Sequence, residues 1–212
     1  MNPGILATNN ARKLRTLILR AAYYAFLTSG LAGLTYAGYV FVDAHNYQAR
    51  EQAAFEESRG KNVSQAEGRH LVVEGGVIGE MEVPRLGLKA IVIQGDSPTI
   101  LRRAVGHLPG TALPGDSGNV ALAGHRDTFF RPLKGILPGD GITLKTPERD
   151  FQYSVESIAV VPPTAVQVLQ ASGGRTLTLI TCFPFYYVGS APNRFIVRAR
   201  QVETWPEQLR ER

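Results

Sequence analysis

Residues 175–185 read RTLTLITCFPF. The stretch is an apolar run rich in β-branched residues that ends on a cysteine and breaks at Pro184. Runs of this composition form strands. Cys182 is the one cysteine of the chain, so no intrachain disulfide and no four-cysteine zinc site can exist. The fold then rests on a hydrophobic core, which an apolar content of 44% can supply. A strand end opening into Phe183-Pro184-Phe185-Tyr186-Tyr187 can hold a thiol rigidly and keep it reachable. The same position also suits a small buried hydrophobe.

Working outward, six more segments read as strands: GGVIGEMEVP (75–84), LKAIVIQG (88–95), NVALAG (119–124), DGITLKT (140–146), FQYSVESIAVV (151–161) and RFIVRARQVE (194–203). Gly139-Asp140-Gly141 and Ser172-Gly173-Gly174 read as turns between them. SPTILRRAV (97–105) reads as a short helix with Ser97 as N-cap. GHLPGTALPGDSG (106–118) reads as loop. The 22 glycines and 13 prolines of the 212 residues suit many short strands better than a helical bundle. The pattern predicts a β-barrel or sandwich.

The amino-terminal part differs. Residues 21–42, AAYYAFLTSGLAGLTYAGYVFV, carry no charge. About 20 such residues cross the hydrocarbon layer as a helix. Tyr23, Tyr24 and Tyr39 fall where aromatic belts lie. Arg12, Lys13, Arg15 and Arg20 precede the run without an acidic residue, so they account for four of the five net positive charges. The charge is therefore a topology signal, and nucleic acid is not expected as a partner. The positive-inside rule puts residues 1–20 in the cytoplasm, 21–42 in the membrane and the rest outside. The run is longer than the apolar region of a cleaved signal peptide. Residues 43–70 are expected to form a solvated helical stalk and a linker, and 71–212 the folded domain.

A thiol becomes a nucleophile as thiolate, which a neighbouring base or cation stabilises. His45 and His70 lie in the stalk and linker, and His107 lies in the Gly/Pro loop. His125 follows a buried strand, so a rigid element positions it, although a structural loop histidine would fit there too. Acyl transfer also needs a donor for the developing oxyanion. Arg194, Arg198 and Arg200 share one strand face by alternation, and spacing alone prefers none of them.

Together, AGHRDTFFRPL (123–133), TLTLITCFPF (176–185) and GSAPNRFIVRAR (189–200) resemble the sortase family. Sortases resemble this chain in carrying a His after a strand, a Thr-Leu-x-Thr-Cys strand end, here Thr178 to Cys182, and an Arg about a dozen residues later. That spacing selects Arg194, 12 residues after Cys182. The likeness runs from about Gly75 to Val202. It looks most like class D, with class E or a proteobacterial relative as second choice.

The resemblance implies a closed, mixed, eight-stranded β-barrel with short helices, preceded by one transmembrane helix. It implies a transpeptidase in which Cys182 attacks the Thr–Gly bond of an LPxTG-like sorting signal and forms a thioacyl enzyme. His125 would serve as acid and base, and Arg194 would hold substrate and oxyanion. Partners would be surface proteins bearing the signal, and an amine acceptor such as a cell-envelope peptide or a pilin lysine. Ala123, Gly124, Phe129, Phe130, Thr181, Phe183 and Tyr186 are expected in the substrate groove, with Leu133 on its rim. Class A members bind calcium through an acidic loop. The chain has no comparable acidic cluster, so neither metal nor cofactor is expected, with Asp127 and Asp140 the exposed candidates otherwise. The soluble segment is expected to be a monomer. Two other readings stay open: a cysteine endopeptidase that releases its product by hydrolysis, and a non-enzymatic anchored β-domain.

Overall fold

In the computed structural model, residues 3–61, 73–170, 173–187 and 189–202 are described. The chain divides into two compact units, Met1–Asp43 and Ala44–Arg212. A helix, α1 (Pro3–Lys61), contributes to both. In the first unit it is long and apolar enough to cross a membrane, and Leu27, Leu31, Leu34 and Phe41 are exposed. Two of its threonine hydroxyls are satisfied within the helix: Thr28 Oγ1 donates to the Tyr24 carbonyl (2.9 Å) and Thr35 Oγ1 to that of Leu31 (2.9 Å). A helix in hydrocarbon must satisfy its polar groups in this internal way.

The second unit is built on eight strands: β1 (Val77–Val83), β2 (Leu88–Gln94), β3 (Val105–His107), β4 (Gly118–Ala123), β5 (Gly141–Lys145), β6 (Asp150–Val161), β7 (Arg175–Phe183) and β8 (Asn193–Val202). They close into a barrel in the order β1-β2-β3-β4-β7-β8-β6-β5. The β2–β3 and β4–β7 pairs are parallel, and the rest are antiparallel. The expected mixed eight-stranded barrel is thus what forms. Seven strands follow from alternation and composition. The eighth, β3, falls in the segment read as helix end and loop. It is three residues long, too short to show a period. Gly106 lets it approach β2 closely, because a Cβ there would lie 2.4 Å from the Gly95 carbonyl oxygen.

Alternate residues of each strand fill the interior: Met81 and Val83, Val120 and Leu122, Ile142 and Leu144, Leu177 and Leu179, Val197 and Ala199. Their neighbours face outward by the period-two rule. Between β2 and β3, α2 (Pro98–Arg103) begins at Ser97, whose side chain accepts from the Ile100 amide (3.4 Å), as expected of an N-cap.

Residues 44–59, expected to form a solvated stalk, keep an exposed face but dock on the barrel through the other. Phe55 is buried with Ile91, Ile93 and Ala104 on the outside of the barrel, and Tyr47 packs against them. Gln48 Oε1 accepts from the Ile91 amide (2.9 Å), and its Nε2 donates to the Arg103 carbonyl (2.7 Å). The register between β2 and β3 starts only at Val92, which leaves the Ile91 amide outside that ladder. A buried backbone donor needs a partner, and the helix supplies one. Arg59 closes the contact with an ion pair to Asp150 (2.8 Å). The polar composition of this segment hides a narrow apolar stripe. The linker after Lys61, with His70, lies outside the described residues, as do 71–72 and 203–212 of the expected domain.

Candidate active site

β4, β7 and β8 are neighbours, and the three residues singled out above lie at one end of them. Across the β7–β8 ladder, Cys182 pairs with Arg194, Ile180 with Ile196 and Thr178 with Arg198. Leu177, Leu179, Val197 and Ala199 point inward, so Cys182 and Arg194 both stand on the outer face. On the other side, Ala123 of β4 pairs with Ile180. Two residues further along each chain come His125 and Cys182. His125 is exposed, and Cys182 and Arg194 are half-buried.

The turn carrying His125 is held from below. The Gly124 amide donates to the Ile180 carbonyl (3.2 Å), and the Phe130 amide donates to the His125 carbonyl (3.0 Å). Thr181 Oγ1 donates to the Gly124 carbonyl (2.7 Å), which ties the residue before Cys182 to the residue before His125. Gly124 is required there, because a Cβ would lie 2.9 Å from the Phe130 ring. Arg194 Nη1 donates to the carbonyls of Asn193 (3.1 Å) and Ala191 (3.3 Å).

Several expected groove residues sit deeper than a groove lining. Phe130 and Leu133 are both 0% exposed and belong to the barrel core. Thr181 and Gly124 are buried and support the site from beneath. Phe129 is half-buried against the core. Phe183 is half-buried too, stacked on Phe195 (centroids 6.1 Å apart) and edge-on to Phe185. Ala123 is partly exposed, and Tyr186 is 73% exposed. Lys134 Nζ donates to the Tyr186 hydroxyl (2.7 Å) and holds that phenol below its usual range.

Asp140, read as an exposed acid, is buried. It accepts from Arg85 Nε (2.5 Å) and Nη2 (2.5 Å) and from the Leu137 amide (2.7 Å). Burial pushes its carboxyl up, and these donors more than offset that, so it titrates below the usual carboxylate range. Asp127 is exposed. His107 is no loop residue either. It ends β3, is 1% exposed, and its Nε2 donates to the Ala112 carbonyl (2.8 Å) while Nδ1 lies 2.8 Å from Gln94 Oε1. Burial holds its ring below the usual imidazole range.

Two residues escape the sequence reading. Asn119, a polar residue in a buried strand, accepts at Oδ1 from Thr178 Oγ1 (2.8 Å) and Thr176 Oγ1 (3.2 Å), and its Nδ2 donates to the Val168 carbonyl (3.1 Å). Val168 belongs to the β6–β7 connection. That connection leaves β6 at Val161, which pairs with Arg194, and returns to β7 at the opposite end of the strand. It therefore starts at the Cys182–Arg194 end of the ladder and is pinned by Asn119 to the outer face at the level of Thr176 and Thr178. The second residue is Arg126, which follows His125 directly.

The barrel fold is found in known proteins. A model of the sortase domain matches residues 81–202, more than half of the chain. The chain belongs to the sortase family. It is 30% identical to sortase D of Bacillus subtilis over 129 residues, 60% of this chain and 65% of that one. It is 32% identical to sortase SrtE1 of Streptomyces coelicolor over 210 residues, 88% of this chain and 58% of that one. The chain thus spans less than two thirds of the length of either relative. Among solved structures, a sortase D5 transpeptidase of Clostridium perfringens superposes with a TM-score of 0.61 at 25% identity, covering 76% of this chain and 99% of that one. Sortase A of Corynebacterium diphtheriae gives 0.59 at 25% identity, covering 79% and 92%. As in the expectation from sequence, this sortase carries an amino-terminal apolar helix ahead of a closed mixed barrel.

Proposed function

We propose that this sortase is a membrane-anchored cysteine transpeptidase, with Cys182 as nucleophile, His125 as acid and base, and Arg194 as substrate and oxyanion clamp. The observation that supports this most directly is the register: a thiol and a guanidinium directly opposed on one outer face, with a histidine at the end of the adjoining parallel strand. Family membership supports the reaction type.

The Cys182 thiolate attacks the Thr carbonyl carbon of an LPxTG-like signal. Charge develops on the carbonyl oxygen, where Arg194 exchanges its two neutral carbonyl partners for a charged one. Hydrogen bonds to ionised groups are roughly twice as strong as neutral ones, so this exchange favours the transition state over the resting site. The carbon–nitrogen bond then breaks, and His125 supplies a proton to the departing amine. The acyl group remains on sulfur as a thioester. An incoming amine gives its proton to His125, attacks that carbonyl and expels the thiolate. No net oxidation or water is involved. Hydrolysis is the slow outcome when no amine arrives.

Residues 1–20 lie in the cytoplasm in this reading, 21–42 form the anchor, and 43–212 lie outside, with 44–61 part of the catalytic unit. The exposed apolar side chains of α1 and the basic residues ahead of them support that topology. The enzyme then meets secreted surface proteins as they emerge, beside an envelope peptide or pilin amine. Class D is the reading favoured for its subclass, and the catalytic unit is a monomer.

The test is product analysis with the full chain in detergent. An LPxTG-type peptide is incubated with and without a short amine donor. Formation of an amine-linked product supports transpeptidation. Cleavage whose products and rate ignore the amine assigns the chain to the hydrolytic alternative.

A further inference from the structure

We infer that Arg126 is a positioning residue that sets the spacing between His125 and the Cys182–Arg194 pair. The inference rests on the catalytic reading above. It begins from a geometric gap in the site. Cys182 and Arg194 are locked to each other by ladder hydrogen bonds. His125 stands past the end of β4, where no ladder reaches it. Its turn is tied to β7 at Gly124, through the Ile180 carbonyl and Thr181 Oγ1, which holds it at the level just before Cys182 and leaves the segment after Cys182 to be fixed.

Arg126 spans that gap. Its Nη2 donates to the carbonyls of Tyr187 (2.7 Å) and Gly189 (3.0 Å). Its guanidinium carbon lies 5.8 Å from the centroid of the Tyr187 ring. Both carbonyls belong to the connection between Cys182 and Arg194, in which no helix or strand lies among the described residues between Phe183 and Asn193. One side chain therefore joins the turn bearing the histidine to the segment that starts at the cysteine and ends at the arginine.

Guanidinium chemistry suits this task. It is always charged, and its planar donors reach two carbonyls from a single group while its face rests on an aromatic ring. Lysine would keep the charge but not the planar fork. The arrangement carries a cost, because Arg126 Nη1 is buried without a hydrogen-bond partner among the described residues. A buried donor left unpaired in this way calls for a reason. A brace that holds the reacting groups in register is one, since a displacement of about 1 Å costs roughly 100-fold in rate.

The experiment compares the full chain with R126M and R126K in detergent. It measures peptide turnover with an amine donor, and hydrogen exchange of the amides in 184–192. In R126M, kcat falls roughly 10- to 100-fold with KM within about twofold, the exchange of 184–192 quickens and the melting temperature holds. R126K recovers part of the rate, and because it keeps the charge it carries the test should R126M fail to fold. Wild-type kcat in either folded variant overturns the inference. So does lost activity with unchanged exchange in 184–192, or a loss that only tracks a fall in folded protein. If the wild-type chain cleaves no signal peptide, the catalytic reading fails, and the exchange measurement alone then decides whether the brace exists.

Discussion

Cys182 and Arg194 stand directly opposite each other across the β7–β8 ladder, on the outer face of the barrel. Cross-strand neighbours of this kind have Cβ atoms about 5 Å apart. A guanidinium so placed reaches an oxygen bound at the thiol without moving any backbone. Arg194→Lys keeps the charge and loses the planar fork, so kcat is expected to fall about 100-fold or more with the melting temperature unchanged. Steady-state kinetics beside thermal melts check this.

Asn119 anchors the β6–β7 connection, and its oxygen receives two buried threonine hydroxyls. Asn119→Ala removes the acceptor of the buried Thr178 hydroxyl at a cost of about 2 kcal/mol. It also frees the connection that leaves β6 at the Cys182–Arg194 end of the ladder. Denaturant melts are expected to show the stability loss, and peptide titrations a raised KM with kcat nearly kept.

The docked part of α1 gives a third expectation. Phe55 is 4% exposed against β2, and Gln48 satisfies the Ile91 amide. Phe55→Ala is expected to cost about 3 kcal/mol, and Gln48→Ala about 1–2 kcal/mol. A fragment starting at residue 71 is expected to melt below one starting at residue 44. Equal melting temperatures for the two fragments would remove the helix from the folding unit.

Burial lowers the folded-state pKa of His107 below its ordinary value of 6.5. Below that value the unfolded chain takes up the proton more readily than the folded one. The associated stability is therefore present above pH 6.5 and is lost as the pH falls from there towards the lowered folded value. His107→Gln removes this term. Wild type is expected to lose more melting temperature than H107Q between pH 7.5 and 5.5, and parallel curves would refute the assignment.

Much of this was legible in the sequence, and the exceptions share a cause. Seven strands announce themselves because each is long enough for alternation or a β-branched run to show. β3 is not, and only Gly106 hints at its close approach to β2. Cys182 and His125 are visible because apolar strands deliver them to loops. Selecting Arg194 over Arg198 took the family resemblance, since all three arginines share one face. Phe130 and Leu133 could not be told from rim residues, because an aromatic or leucine after a loop histidine fits a groove and a core equally well. Only the packing under Gly124 separates the two. The docking of residues 44–61 was hidden because two side chains, Gln48 and Phe55, carry most of it within an otherwise polar helix.

The central claim is that Cys182 carries the acyl group as a thioester. The most direct test is intact-mass spectrometry of the full chain quenched in acid during turnover of an LPxTG-type peptide. The expected result is an adduct equal to the peptide through Thr, mapped to Cys182, absent in Cys182→Ala, and shorter-lived when an amine donor is present. Turnover without any adduct, or an adduct that persists in Cys182→Ala, would contradict the account.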